Sequence, residues 1–280
     1  MRTIKAISLL TAAVMGCTAL LAGCGKGSDS SSSKAEEGAK TSDDGSINKD
    51  LTATELARLL GNGTNLGNTM EAYGHKSYSA DTDPERFETF WGQPVTTEEM
   101  IKGMKASGFD SLRVPVAWTN AMEYEKGDYT INEAYLDRVE EIINYALDND
   151  MYVIINDHWD GSWWGMFGSS EQSDVDKAFE MYKSMWTQIA NRYKKYSDRL
   201  IFEGANEELG DRLNDTDVCK NSGSLSKAEC YEMANKINQT FVDTVRATGG
   251  NNEQRFLLIA GYNTDITMTC SNKFQMPTEG

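Results

Sequence analysis

The run Leu200-Ile201-Phe202-Glu203-Gly204-Ala205-Asn206-Glu207 is largely apolar until it closes on an amide and a carboxylate. It reads as a buried parallel strand, and a carboxyl at the exit of such a strand is well placed for acid/base chemistry. Glu207 is therefore the first candidate for a proton donor. Other chemistry-bearing side chains sit in or at the ends of further apolar runs: Arg113 in Ser111–Trp118, and Asp157 and His158 in Tyr152–Trp159. Arg113 lies among bulky apolar neighbours, where a charge without a partner is costly. The chain has two histidines, His75 and His158, and no paired Cys/His spacing, so no structural metal site is expected.

The elements that must hold these residues follow from periodicity. Strands are expected over Thr64–Asn68, Ser111–Trp118, Tyr152–Trp159, Leu200–Glu207 and Arg255–Tyr262. Amphipathic helices alternate with them. Thr96-x-x-Glu99 resembles a capping box, with Met100, Ile101 and Met104 on one face and Gly108 as the stop. Asn132 is placed to cap a helix striped by Leu136, Val139, Ile143 and Ala146. Phe179, Tyr182, Trp186, Ile189 and Tyr193 mark a long helix, with Trp186 as packing. Ser226-x-x-Glu229 caps the last helix, which Gly249-Gly250 ends. Such alternation predicts right-handed βαβ units, and the absence of a glycine-rich phosphate loop after the first strand favours a (β/α)8 barrel over a nucleotide-binding sheet. About five βα units are visible.

Length and charge bound the remainder. The 280 residues suit one large domain and a tail, and a formal charge of −16 with scattered Lys and Arg argues against nucleic acid as a partner. Residues 1–23 read as a signal peptide: Arg2 and Lys5 precede an apolar stretch that ends at Leu20-Leu21-Ala22-Gly23-Cys24. That ending resembles the bacterial lipoprotein processing box, which implies lipid attachment at Cys24 and a location at the cell surface; an ordinary secreted form is the alternative. Residues 24–49 are rich in Ser, Gly and charge and read as a flexible tether, with the globular part spanning 50–280. Cys219 and Cys230 flank a polar loop and are candidates for a disulfide in an exported protein, with unpaired thiols as the alternative.

Four motifs in chain order resemble glycoside hydrolase family 5, the cellulase family. They are Gly63-Thr64-Asn65-Leu66-Gly67-Asn68-Thr69-Met70-Glu71-Ala72, Leu112-Arg113-Val114-Pro115-Val116, Val153-Ile154-Ile155-Asn156-Asp157-His158 and Asn206-Glu207. The resemblance implies a retaining endo-β-1,4-glucanase with Glu207 as general acid/base. Arg113 would hold the nucleophile, His158 would stand near the sugar or the carboxyls, Asn206 would bind the sugar 2-hydroxyl, and Asn65 would support the site. Where most relatives carry proline after the acid/base, this chain has Glu208. Trp118, Trp159, Trp163 and Trp164 crowd the ends of the second and third strands, and one or two are expected to stack on sugar rings; His75 is as well explained by the surface as by a subsite.

Retaining hydrolysis requires two carboxyls about 5–5.5 Å apart. Glu208 would point to the opposite face from Glu207 if the strand persisted, and the family places no nucleophile at Asp157 or Asp160. The family's seventh-strand glutamate has no counterpart in these 280 residues, so the chain reads as the N-terminal part of the catalytic domain, with two open sheet edges. A β-linked polysaccharide is the expected substrate, with no cofactor and a monomeric state when complete. A mannanase or xyloglucanase of the same fold, or a non-catalytic glycan-binding lipoprotein, are the competing readings. A polypeptide of residues 24–280 is expected to show no glucan hydrolysis, and measurable turnover by the purified chain would overturn that expectation.

Overall fold

The computed structural model describes residues 42–73, 77–158, 160, 163–215 and 223–278. Five parallel strands form one sheet: β1 (Gly63–Asn65), β2 (Ser111–Val114), β3 (Tyr152–Asn156), β4 (Leu200–Glu203) and β5 (Leu257–Leu258). Their spatial order is their chain order. Right-handed crossovers that never reverse direction put every connecting helix on the same side of the sheet, which makes a barrel wall; a doubly wound sheet needs a reversal. These are consecutive units of a (β/α)8 barrel.

The helices are α1 (Ala53–Leu59), α2 (Pro84–Glu88), α3 (Glu98–Ala106), α4 (Glu133–Leu147), α5 (Gln172–Tyr193), α6 (Lys227–Ala247) and α7 (Ile266–Thr269). Asn132 caps α4 and a Ser226/Glu229 capping box opens α6, as their sequences predict. The cap of α3 is Thr97, one residue later than the Thr96 motif suggests. Thr96 is drawn inward instead: its N–H donates to Glu88 and its carbonyl accepts from Arg138. Gly108, at φ +94°, and Gly249-Gly250, at +70° and +62°, supply the left-handed turns after α3 and α6.

Leu112, Val114, Val153, Ile155, Leu200 and Phe202 face the helices and are buried. Trp186 packs there between Phe202 and Phe241, with ring centroids 5.9 and 4.6 Å away. The alternate residues face the barrel interior, where Asn65 and Leu258 are exposed. Every strand is shorter than its apolar run. Pro115 has no N–H for the ladder and follows the last residue of β2. The β3–β4 ladder ends at the pair Asn156/Glu203, after which Gly204 allows close approach of α6: a Cβ there would meet the Phe241 ring at 2.8 Å. Glu207 therefore lies in a turn four residues past β4, not on the strand itself.

Residues 42–48 are bonded to the N-terminal side of the sheet. Ser197 donates to Asp43 through its backbone N–H (2.9 Å) and hydroxyl (2.5 Å), Asn251 Nδ2 donates to the Gly45 carbonyl (2.8 Å), and Asn48 N–H donates to Asp198 (3.1 Å). Beneath this belt Arg255 is fully buried and donates to the carbonyls of Ser197, Leu200 and Tyr196 at 2.6–2.8 Å. Burial draws its pKa down to about 10, with Asp43 and Asp198 supplying opposing negative charge, so it stays protonated at neutral pH. Replacing it with Met would strand those carbonyls. At roughly 1–3 kcal/mol for each unsatisfied buried group, Arg255→Met is expected to cost about 3 kcal/mol or more. An unchanged urea midpoint would show that the plug contributes nothing.

Candidate active site

The C-terminal ends of β2, β3 and β4 bring Arg113, Asn156, His158, Asn206 and Glu207 to one rim. At its centre is a pair that residue type and spacing did not single out. Arg113 donates to Glu203 twice, Nε to Oε2 at 2.6 Å and Nη2 to Oε1 at 2.7 Å, reaching across β3 from β2 to β4. Its Nη2 also donates to Asn206 Oδ1 at 2.9 Å. Burial opposes the charge of Arg113, yet the hydrogen bonds and charge of Glu203 outweigh it and raise the guanidinium pKa. Among the described residues Nη1 has no hydrogen-bond partner and remains available. Glu203 was legible in principle: a charge inside Leu-Ile-Phe-Glu needs a partner for the same reason that Arg113 does.

The turn after β4 separates two adjacent glutamates. Glu208 is buried and its Oε2 accepts the backbone N–H of Asn206 at 2.9 Å, so it folds back under the turn. Glu207 projects outward with 58% of its side chain exposed, and Arg212 is its ion partner at 3.8 Å. Where proline would stiffen the chain covalently, Glu208 does so with a hydrogen bond. Tyr182 adds a donor to the Gly204 carbonyl at 2.7 Å from the helix side.

His158 is part-buried beside Arg113. Its backbone N–H donates to the Val116 carbonyl (2.9 Å), and its Nδ1 lies 3.1 Å from Asn156 Nδ2. The Asn156 amide can only donate there, because its Oδ1 already accepts from Val116 N–H (3.4 Å). Nδ1 is therefore the acceptor and the ring proton sits on Nε2. Burial first, and the Arg113 charge second, pull the imidazole pKa down to about 4. His158 is a neutral hydrogen-bond donor at physiological pH. Asn65 pairs in register with Arg113 and is exposed on the inner face.

The two aspartates nearby are both fully buried. Asp160 accepts from the backbone N–H of Thr119 (3.0 Å to each oxygen) and from its hydroxyl (2.5 Å), tying the β3 exit to the β2 exit. Asp157 has no hydrogen bond of good geometry to either oxygen among the described residues. Burial, reinforced by the charge of Asp160, raises its pKa well above the usual carboxyl value, and burial raises that of Asp160 too. Neither is free to attack a substrate. Glu71, also outside the residues chosen by type and spacing, accepts from Asn68 and Thr69 N–H and shapes the turn after β1.

Three of the four tryptophans at these strand exits are buried. Trp163 and Trp164 stack on each other with centroids 4.4 Å apart, pack on Phe167 and Tyr182, and are each 1% exposed. Trp118 is fully buried and donates Nε1–H to the Asn156 carbonyl at 2.8 Å. These three rings are core beneath the rim and have no face for a sugar. Crowding in a loop sequence cannot tell a platform from a plug. Trp159, His75, Cys24 and Cys219 lie outside the described residues. Cys230 is a free thiol buried near Leu225 and Asn214, as in the unpaired alternative, and its candidate partner Cys219 lies outside the described residues. No cluster of metal-ligating side chains occurs among the described residues.

Comparison with known proteins places this geometry. The family model for cellulase, glycosyl hydrolase family 5, matches residues 75–279. A xyloglucan-specific endo-β-1,4-glucanase of Bacteroides ovatus is 39% identical over 234 residues, covering 82% of this chain and 43% of its own length. Endoglucanase A of Paenibacillus barcinonensis is 37% identical over 238 residues, covering 82% and 54% respectively. The chain thus spans about half the length of these curated relatives. Among solved structures, a broad-specificity endoglucanase of Ruminococcus champanellensis with bound cellotriose superposes with a TM-score of 0.69 at 38% identity, over 82% of this chain and 63% of that one.

The His158 assignment has a direct check. Its ring is expected to titrate near pH 4 by NMR, with the proton on Nε2 above that. An unfolded histidine takes up its proton near pH 6.5. The folded one resists, so its contribution to stability is present above 6.5 and declines as pH falls towards 4. A midpoint between 6 and 7 would contradict the packing described.

Proposed function

The chain belongs to glycosyl hydrolase family 5, and from that premise we propose that it serves the retaining hydrolysis of internal β-1,4 bonds in a glucan. Glu207 is the acid/base: it protonates the departing glycosidic oxygen and later takes a proton from the incoming water. The observation that carries this reading is the difference between neighbouring carboxyls. Glu203 is held by Arg113, Glu208 by the Asn206 amide and Asp160 by Thr119, while Asp157 is fully buried with its pKa pushed well up. Glu207 alone in this group projects into the open rim on a turn fastened from beneath.

Its partners follow from their free valences. Asn206, with its carbonyl oxygen engaged by Arg113, turns its NH2 towards the site as a donor to a sugar hydroxyl. His158 offers Nε2–H, and Arg113 keeps Nη1 for a second carboxylate. That carboxylate, the nucleophile, would come from outside the described residues. The signal-like leader and Cys24 support an exported, lipid-anchored, monomeric enzyme at the cell surface. A second reading, in which the glucan carries xylose branches, is favoured by the xyloglucan-specific relative.

The test is activity on carboxymethylcellulose, xyloglucan and mannan, using protein made from the complete gene. Glu207→Gln is expected to lower kcat on these polymers by roughly 10^2–10^4-fold and to spare aryl glycosides with good leaving groups. Full activity of the variant on the polymers would remove Glu207 from the acid role. Tight binding of a glycan without turnover by the unmodified protein would instead favour a non-catalytic binding protein.

A further inference from the structure

The acid/base lies beyond the hydrogen-bonded sheet. β4 ends at Glu203, so the ladder that fixes strand residues does not fix Asn206 or Glu207. Something else must hold their turn in a productive geometry, because a misplacement of about 1 Å can cost on the order of 100-fold in rate. Contacts that reach the turn among the described residues include Tyr182 to the Gly204 carbonyl, Glu208 to the Asn206 backbone, Arg113 to the Asn206 side chain, and the long Arg212 pair on Glu207. Only the Arg113 contact comes from the inner face of the sheet.

We propose that Glu203 is a positioning residue for the glycosidic chemistry, setting the angle of the Arg113 guanidinium and through it the orientation of the Asn206 amide. This role rests on the family 5 glycosidase reading above and deepens it. The geometry leaves one arrangement. A guanidinium is planar and its five N–H bonds point in fixed directions. With Nε and one Nη2 hydrogen committed to the two oxygens of Glu203, the direction of the second Nη2 hydrogen is determined. Asn206 Oδ1 lies on it at 2.9 Å. The amide cannot flip, since its NH2 would then face an N–H. Asn206 is thus locked with its carbonyl inward and its donors outward.

Both members of the clamp are rigid. Arg113 lies inside β2 and Glu203 is the last residue of β4, in a register shared through β3, and Glu203 is 6% exposed. Glutamine at position 203 keeps the volume but puts an NH2 where Arg113 needs an acceptor. The guanidinium then loses its two-point seat, and Asn206 loses the reason to prefer one rotamer. Substrate affinity, which comes from the whole cleft, should change little. The loss should fall on the step in which Asn206 and Glu207 act together.

The experiment is a double-mutant cycle on the protein made from its complete gene, with Glu203→Gln, Asn206→Ala and the pair together. Thermal unfolding of each is used to correct for the folded fraction. Glu203→Gln is expected to lower kcat by about 100-fold with KM altered less than about threefold, and the double variant should be no slower than the slower single. Additive losses, or a kcat within about threefold of the parent, would overturn the positioning role. Absence of turnover by the parent protein would count against the enzymatic reading instead, and NMR then decides this one. The parent should show a slowly exchanging Arg113 Nε–H and a fixed, inequivalent Asn206 NH2 pair, both lost in Glu203→Gln. A parent Nε–H that exchanges freely, or an Asn206 pair indifferent to the substitution, would overturn it even if the variant's fold is compromised.

Discussion

A full positive charge on the inner wall of a barrel is the constraint around which this rim is organised. Arg113 gives up most of its hydration there, and an ion without compensation in such a place is strongly destabilising. Glu203 supplies that compensation in the geometry that gains most, two parallel hydrogen bonds between a planar fork and a carboxylate. The two residues are on different strands with a third between them, so their meeting depends on the register of β2, β3 and β4. A slip of one residue would send either side chain to the helix-covered face. Folding the sheet correctly and preparing the site are therefore one event.

Around that pair, carboxyl groups of near-identical intrinsic acidity acquire different tasks from their surroundings alone. Glu208 and Glu207 are adjacent in sequence, yet one is buried as an acceptor for its own turn and the other stands in solvent. Asp160 is saturated by Thr119, while burial and the charge of Asp160 push the pKa of Asp157, three residues earlier, well up. Committing these groups to structure leaves Glu207 exposed at the rim, with only a long ion pair to Arg212 among the described residues. The crowding of acidic residues in the sequence is thus not redundancy.

The barrel wall was legible because apolar runs and helical stripes alternate with capping signals that act locally. Asn132 and the Ser226/Glu229 box work within a few residues, so their sequence suffices. Strand lengths were overestimated because a ladder ends where its neighbour departs, as β3 and β4 do together at Asn156 and Glu203, and no single run contains that information. The placement of Glu207, Asn206, His158 and Arg113 on one rim followed from strand-end logic. The Arg113–Glu203 bond did not, because it joins residues ninety positions apart. The tryptophans misled for a related reason: Trp163 and Trp164 satisfy each other and Tyr182, and a ring buried by tertiary contacts looks, in sequence, like a ring waiting for a ligand.

The belt formed by residues 42–48 has a bearing on traffic rather than on stability. It crosses beneath the sheet, against Ser197, Asp198 and Asn251, on the side where the strands begin. Residues 42–48 are thus stitched to the base of the sheet ahead of β1. A pull applied at residue 42 would be borne by these bonds at the base, leaving the strand exits unloaded. The strand exits that carry Glu207 stand at the opposite end of the sheet from this belt.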